Sequence, residues 1–283
     1  MSENKSIIDI AKAHQGGQPA PTQGDVPARP RTETVNPKNE DTSMNDALNS
    51  LLEKVEKKVG WVDIELPTRG FYSDSPGTIQ IRPFVFEDEK ILRNIKKATD
   101  GVKVIETLIK RCTNNLDYST LTLVDKNFIL VKLRELSYGT NYGIHATCAD
   151  CEFKNELNVE MDKLPLVYAE NENSLHTKVS LPDSEVEVEF KIPTVKDEKY
   201  LTEVDSIMDN LWRLVKSVGG HTERVIIQGF IQKTSAKDIV VLRNAIFEGN
   251  RLGVQTEVNF ICGSCGTHSV IDLPINESFF DVS

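Results

Sequence analysis

The chain has 283 residues, 39% of them hydrophobic, and its 43 acidic and 33 basic side chains give a net charge of −10. This length and composition predict a soluble protein with a substantial core and one or two domains. The acidic balance argues against a protein that mainly grips a nucleic-acid backbone, and the lack of long apolar runs argues against membrane-spanning or secreted proteins.

The first 45 residues are predicted to be a disordered tail. They are rich in Gln, Pro, Thr, Asn and Gly and nearly free of aromatic residues, so they bury too little apolar surface to offset the entropy of ordering. The apolar patch at residues 7–12 is either a docking segment that orders on a partner or a chance cluster.

Residues 46–60 are predicted to form an amphipathic helix and linker, because apolar residues recur there at spacings of three and four before Gly60. These residues are Leu48, Leu51, Leu52 and Val55. The helix packs either on the body of the protein or on a partner.

After residue 60, apolar and polar residues first alternate, as in strands, and then follow helical patterns. Strands are predicted at 61–66 and 78–82, on either side of a Pro/Gly turn, and helices at 87–99, 101–113 and 123–137. Asp88 and Glu89 are interpreted as acids that favour a helix start, since successive helix residues point about 100° apart. Cys112 has no histidine near it in sequence and is interpreted as a small buried hydrophobe.

Basic residues populate one side of the helix at 87–99 and form either a solvated face or a contact for nucleic acid or an acidic partner. They are Lys90, Arg93, Lys96 and Lys97.

In the second half of the chain, strands are predicted at 178–181 and 185–192, and a helical region is predicted at 194–217. Helices are predicted at 221–232 and 235–248, the latter with Ser235 as N-cap.

Four of the five cysteines lie in two Cys-x-x-Cys turns, each between short alternating strands. The pairs are Cys148 with Cys151 and Cys262 with Cys265. Such a turn aims both sulfurs at one point, and two turns together supply the four-thiolate tetrahedral shell that zinc prefers. The sequence therefore predicts one structural zinc per chain held by all four cysteines, with iron as the other metal to consider.

Three alternatives to this zinc site are considered. In the first, the cysteines are spare thiols or form two local disulfides. In the other two, His145 or His268 replaces one of the four cysteines as a metal ligand. Glu152 follows the first turn where the second has Gly266, a departure that suggests looser geometry at the first turn. A closed four-thiolate shell has no open position for water, so the metal is expected to hold the fold and not to catalyse.

The two halves of the chain repeat the same order of strand, proline turn, helices and cysteine hairpin. Arg82-Pro83 with Asp88-Glu89-Lys90 matches Lys191-Ile192-Pro193 with Asp197-Glu198-Lys199, allowing one residue of slip. The offset is 109 residues at the aspartates and 114 at the cysteines. A pseudo-twofold pairing of the halves would then build one shared zinc site.

The predicted fold is therefore α+β, with two tandem helical-plus-β-hairpin repeats joined through a four-cysteine zinc-ribbon-like module. The predicted domains are the tail at 1–45, the helix and linker at 46–60, the first repeat at 61–165 and the second repeat at 166–283. There is no phosphate-binding loop, His-Glu-x-x-His, Gly-x-Ser-x-Gly or dinucleotide fingerprint, so no enzyme is predicted.

Two further blocks of residues stand in a fixed order. The first is Leu66-Pro67-x-x-Gly70 with Tyr72, then Arg82-Pro83, Asp88-Glu89 and Leu92. The second is Asp125, Leu133-Arg134, Ser137-Tyr138-Gly139 and Tyr142 ahead of the first Cys-x-x-Cys. In this order and spacing they resemble the baseplate hub subunit family of T-even-type contractile-tailed phages, from about Trp61 to the C-terminus. Glu152 departs from the usual glycine, and the tail has no counterpart.

The resemblance implies a phage tail protein that takes part in building the central hub of the baseplate, as a virion component or as an assembly factor. It implies other hub and tail proteins as partners, the host cytoplasm as the location during assembly, and no active site. The rival hypothesis is a zinc-ribbon regulator that binds nucleic acid or transcription machinery. Among residues 148–160, Lys154 is the only Lys or Arg, and residues 257–273 contain neither, which argues against nucleic-acid binding by the hairpins.

Overall fold

The computed structural model describes residues 37–72, 75–93, 98–201, 208–248, 251–275 and 277–280. Within these ranges the chain is a mixture of helices and small antiparallel sheets. The helices are α1 Pro37–Lys58, α2 Phe86–Arg93, α3 Ala98–Cys112, α4 Leu123–Tyr138, α5 Arg224–Lys233 and α6 Ala236–Glu248. The strands are β1 Val62–Glu65, β2 Thr78–Ile81, β3 Thr113–Asn114, β4 Asn141–Thr147, β5 Lys154–Glu160, β6 Leu166–Val167, β7 Thr177–Ser180, β8 Glu187–Phe190, β9 Val215–Val218, β10 Gly253–Val254, β11 Glu257–Ile261 and β12 His268–Asp272.

Two of the sheets have three strands each. In the first, β2 lies in the middle, where Ile81 pairs with Val62 of β1 and with Thr113 of β3. In the second, β8 lies in the middle, and Phe190 pairs with Thr177 of β7 and with Val215 of β9. Alternating residues correctly predicted the strand pairs β1–β2 and β7–β8, because one face of each sheet is buried.

The helical region predicted at 194–217 is wrong in its last part. The described residues there include 3₁₀ turns at Glu198–Tyr200 and Leu211–Arg213, and strand β9 follows, while 202–207 lie outside the described residues. Val215 and Val218 of β9 are buried against the second sheet. β-Branched residues are well suited to a half-buried sheet surface, so pairing with β8 determined the structure here.

The helix predictions at 123–137, 221–232 and 235–248 are confirmed to within a few residues. The predicted helix at 87–99 corresponds to α2 together with the first residues of α3, and 94–97 lie outside the described residues. Ser235 caps α6 as expected, because its hydroxyl accepts the N–H of Asp238 at 3.2 Å.

Helix α4 runs through the main core and is buried on most of its sides. The Thr122 hydroxyl caps its first turn by accepting the N–H of Asp125 at 3.1 Å. At its other end Gly139, with φ of +89°, donates its N–H to the carbonyl of Glu135 at 3.0 Å. Asp125 is itself fully buried, and it accepts the Thr68 N–H at 3.0 Å and the Thr68 hydroxyl at 2.7 Å.

Two large hydrophobic clusters form the cores. The first surrounds α3, α4 and the β1–β2–β3 sheet, and it also takes in Leu273, Phe279 and Phe280 from the end of the chain. The second lies between the β7–β8–β9 sheet and helices α5 and α6, with Phe190 and Leu242 among its members. The first core therefore uses side chains from both predicted repeats, 61–165 and 166–283.

The remaining strands form three two-stranded pairs. Hairpin 1 is β4 with β5, hairpin 2 is β11 with β12, and the short strands β6 and β10 pair with each other. Val159 of hairpin 1 and Val258 of hairpin 2 both pack against the first core. The two cysteine turns therefore project from hairpins that share one support.

Helix α1 begins at Pro37, nine residues before the predicted start at residue 46, so part of the predicted tail is helical. Proline suits the first helical position, where its missing N–H has no intrahelical partner to lose. The leucines of its apolar stripe, Leu48, Leu51 and Leu52, are exposed. Two compact units divide between Leu52 and Glu53, inside this helix. Among the described helices none is both long and apolar enough to cross a bilayer.

Candidate metal centre

The two Cys-x-x-Cys turns have the same backbone structure. In hairpin 1 the N–H of Cys148 donates to the carbonyl of Phe153 at 2.9 Å, and its carbonyl accepts the N–H of Glu152 at 3.0 Å. In hairpin 2 the N–H of Cys262 donates to Thr267, and its carbonyl accepts the N–H of Gly266, both at 2.9 Å. Each turn thus closes its hairpin one residue beyond the strands, with its first cysteine buried and its second exposed.

Glu152 does not loosen the first turn, contrary to the expectation from sequence. Its φ of +59° is the left-handed conformation that Gly266 adopts at +75° in the second turn. A residue with a Cβ accepts this conformation at a cost of about 1–2 kcal/mol. The first turn therefore has the same geometry as the second, and the backbone of Glu152 is strained.

The structure brings all four cysteine sulfurs together, although more than a hundred residues separate the pairs. The Sγ atoms of Cys148 and Cys265 are 3.7 Å apart, those of Cys151 and Cys262 are 3.6 Å apart, and all four lie within 4.8 Å of one another. A tetrahedral zinc site with Zn–S bonds of about 2.3 Å requires sulfurs about 3.8 Å apart. The four thiols therefore fit the shell of a metal ion.

The disulfide alternative and the histidine alternative find no support in this arrangement. All five cysteines have free thiols, and the short sulfur contacts join one hairpin to the other and not the two cysteines of one turn. His145 lies in β4 opposite Glu156, and His268 lies in β12 opposite Ile261. Among the described residues, the group that offers clustered ligand atoms consists of the four cysteines.

Neighbouring groups shift the pKa values of two of the cysteine thiols in opposite directions. The backbone N–H groups of Cys265 and Ser264, together with the Asn155 amide, lower the pKa of the Cys262 thiol to about 6. The Phe153 N–H acts in the same direction on Cys151, yet the neighbouring thiols outweigh it and raise the pKa of Cys151 to about 12. Thiolates this close repel one another, and a metal ion removes that conflict by neutralising them.

Asn155 connects the two hairpins beside the sulfurs. This buried residue of β5 accepts the N–H of Gly263 at 2.8 Å and places its amide nitrogen 3.7 Å from the Sγ of Cys262. The same nitrogen also donates to the carbonyl of Phe153 at 3.2 Å. A hydrogen-bonded neighbour of this kind holds a ligand in the orientation that a metal requires.

We expect an Asn155→Ala variant to bind zinc about 10–100-fold more weakly while keeping all four ligands, since lost partners of ligands typically cost this much. Competition with a chelator of known affinity, under reducing conditions, measures the change. Asn158→Ala on the exposed side of β5 is the matched control and is expected to bind like the natural protein. An affinity for Asn155→Ala within twofold of that control would contradict the role given to Asn155.

Asp88 has a larger role than the sequence suggested. It is fully buried and accepts from Arg82 Nη1 and Arg111 Nε, both at 2.7 Å, and from the N–H of Val85 at 3.1 Å. Burial by itself would raise the pKa of Asp88, but these hydrogen bonds hold it below its ordinary value. Asp88, in α2, therefore joins Arg82, which follows β2, to Arg111 of α3 as the centre of a charged cluster.

Cys112 is buried as predicted, at the end of α3 and 3.7 Å from an Asp88 oxygen. Burial, followed by the nearby Asp88 charge, raises the pKa of Cys112 to about 12. A thiol that stays protonated is a poor nucleophile.

The basic face predicted at 87–99 is described only in part. In α2, Lys90 pairs with Glu87 at 2.7 Å, while Lys96 and Lys97 lie outside the described residues.

The residues of the second resemblance block make structural contacts. The guanidinium of Arg134 lies 4.2 Å from the ring centre of Tyr142 and donates to the carbonyl of Phe279. The Ser137 hydroxyl accepts the N–H of Phe84 at 2.9 Å, and the Tyr138 hydroxyl donates to Glu89. These contacts join α4 to the segment that contains Phe84 and α2, and to the end of the chain.

The family model described as T4 bacteriophage base plate protein matches residues 62–281, which include both cysteine turns and exclude α1. No curated protein and no solved structure matches the chain significantly.

Proposed function

Since the chain belongs to the T4 bacteriophage base plate protein family, we propose that it takes part in assembling the central hub of a contractile phage tail through protein–protein contacts. The family confirms the resemblance found in the sequence, and it establishes a structural role in the phage baseplate, a location in the virion tail and contacts with other baseplate proteins. The hub itself, and a stage in the host cytoplasm during assembly, belong to the proposal.

The family match over residues 62–281 carries this proposal, because it covers nearly the whole body of the protein. The distinctive residues of that body act on its own structure. Asp88 joins the elements of the first half, Asp125 fixes the turn at Thr68, and Arg134 holds the end of the chain. A body built in this way suits a rigid part of an assembly better than it suits an enzyme.

One zinc ion per chain, held by Cys148, Cys151, Cys262 and Cys265, clamps the two hairpins in this proposal. The sulfur spacings of 3.6 and 3.7 Å support it, as does the matching hydrogen-bond pattern of the two turns. Four thiolates leave no open position, so the ion contributes structure and no reaction. Its binding free energy appears as stability of the folded chain.

The two-repeat organisation is also part of the proposal, and local structure supports it. β2 and β8 are each the middle strand of a three-stranded sheet, and each is followed by a buried carboxylate six residues after a basic residue. Arg82 donates to Asp88 at 2.7 Å, and Lys191 donates to Asp197 at 3.3 Å. Each carboxylate also accepts the backbone N–H three residues before it, at 3.1 and 3.0 Å.

The segment that precedes residue 61 is proposed to dock on a partner and to become ordered when it binds. Residues 7–12 are the apolar patch that would do so, and they lie outside the described residues. The exposed leucines of α1 form a second apolar stripe of the kind that packs against another helix. In this proposal the clamped body gives a rigid surface and the preceding segment adds attachment.

Affinity purification from phage-infected cells tests the proposed function. The tagged full chain is expected to retain other tail baseplate proteins, identified by mass spectrometry, and a chain lacking residues 1–58 is expected to retain fewer of them. Equal recovery by both chains would remove the N-terminal segment from the mechanism. Recovery of polymerase subunits or of nuclease-sensitive nucleic acid, without baseplate proteins, would favour the zinc-ribbon regulator instead.

A further inference from the structure

A groove of about 670 Å³ lies between the two cysteine hairpins. Successive residues of both strands line it, 156–160 of β5 and 257–260 of β11. Side chains of a strand alternate between its two faces, so a groove lined by every residue in turn follows the edge of the strand. The groove is therefore bordered by one edge of each hairpin.

Both of these edges are open within the described part of the chain. β5 pairs only with β4, and β11 pairs only with β12. The hydrogen-bonded pairs of hairpin 1 include Cys148 with Phe153 and Thr140 with Met161. Because such pairs alternate along an antiparallel ladder, the N–H and C=O groups of Glu156, Asn158 and Glu160 point away from β4.

The groove is held open at both ends. At one end the cysteine cluster and Asn155 join the hairpins. At the other end β6 pairs with β10, and the N–H of Gln255 donates to the carbonyl of Pro165 at 2.8 Å. β5 and β11 are thus fixed side by side without being hydrogen-bonded to each other, which leaves a ready template for an added strand.

The side chains along the groove specify what it would accept. Its charged lining consists of three carboxylates, Glu156, Glu160 and Glu257, and one ammonium group, Lys163, which is paired with Glu160. Leu157 and Val258 are half-buried and form an apolar floor between these charges. A groove with a net negative rim and an apolar floor favours an extended chain in which basic and apolar residues alternate.

We infer that this groove binds an extended segment of another protein, with alternating basic and apolar residues, as an added strand on the open edge of β5. The segment's main chain pairs with Glu156, Asn158 and Glu160, its apolar side chains contact Leu157, and its basic side chains face the rim carboxylates. Strand addition of this kind takes affinity from main-chain hydrogen bonds and specificity from alternate side chains. The inference stands on the groove itself and does not depend on hub assembly.

A defined peptide tests it with the full, zinc-loaded chain. A fluorescein-labelled heptapeptide of alternating lysine and valine is expected to bind, as measured by fluorescence anisotropy, and to bind more weakly as salt is raised. The same peptide with glutamate in place of lysine is expected not to bind. Hydrogen exchange should show slower exchange at the amides of Glu156, Asn158 and Glu160, while those of Leu157 and Val159 stay protected throughout.

Charge reversal on the protein supplies the matched comparison. A Glu156→Lys, Glu257→Lys double variant is expected to bind the lysine–valine peptide about tenfold more weakly, since two rim contacts become repulsive. Glu172→Lys makes the same type of change at an exposed residue outside the groove lining and is expected to bind like the natural chain. Equal binding by the double variant, equal binding of the glutamate peptide, or unchanged exchange at the three amides would each overturn the inference.

Discussion

Replacing Cys151 by serine is expected to abolish stable metal binding and to loosen both cysteine hairpins together. The four sulfurs lie within 4.8 Å of one another and come equally from the two hairpins, so the loss of one ligand opens a shell that both hairpins share. Structural zinc in small peptides contributes about 10–16 kcal/mol of apparent binding free energy. Here Asn155 and the first core also hold the hairpins, so we expect the free energy of unfolding to fall by about 4 kcal/mol or more.

Two measurements check this result. Metal analysis of the reduced protein should fall from about one zinc per chain to none, and limited proteolysis with mass spectrometry should show new cleavage in both 141–160 and 257–272. Ser264→Ala is the matched control, because it changes an exposed residue between two ligands and keeps the backbone N–H. Cleavage confined to hairpin 1 would contradict a shared clamp, and natural protein that carries no metal would contradict the metal itself.

Asp88→Asn is expected to lower the free energy of unfolding by about 2–4 kcal/mol at neutral pH. The carboxylate is fully buried and makes 2.7 Å contacts with Arg82 and Arg111, so its neutral replacement leaves two guanidinium groups without their counter-charge. The Arg82 side chain is 15% exposed and that of Arg111 is 42% exposed, and solvent reduces the cost at Arg111. The expected loss is therefore smaller than for a fully buried pair.

The pH dependence of this loss follows from the depressed pKa of Asp88. A carboxylate whose pKa is lower in the folded than in the unfolded state contributes stability above its unfolded pKa of about 3.9, and this contribution disappears as the pH falls through the folded pKa. Urea unfolding at several pH values should show the deficit of Asp88→Asn shrinking below about pH 4. Glu87→Gln, at an exposed neighbouring carboxylate, is the control and is expected to cost less than about 0.5 kcal/mol. Equal losses in the two variants would contradict the central role of Asp88.

Local patterns were sufficient wherever neighbouring residues determine the structure. The strands on either side of each Cys-x-x-Cys were predicted from alternation, and α4 was predicted at 123–137 from its helical pattern. The prediction at 194–217 failed because β9 depends on a partner strand elsewhere in the chain. A strand of four residues has little local signal, and its pairing supplies most of its stability.

Asn155 was missed although the sequence contained a weak signal for it. It alternates with Leu157 and Val159 on the inward face of β5, and a polar residue at such a position requires a buried partner. Alternation alone could not identify that partner, because Gly263 belongs to the other hairpin. The role of Asp88 was missed for a related reason. An acidic residue at the start of a helix is already explained by its favourable interaction with the helix dipole, so nothing in the sequence called for a buried partner.

The sequence by itself determined the set of four paired cysteines, the two matching turns, the α+β composition and the family resemblance, because each depends on residue type and short spacing. Only the tertiary structure decided that the sulfurs of Cys148 and Cys265 lie 3.7 Å apart, that the end of the chain packs into the first core, and that two strand edges border an acidic groove. These features depend on contacts between distant residues, which are fixed by the packing of whole elements and leave no local pattern in the chain.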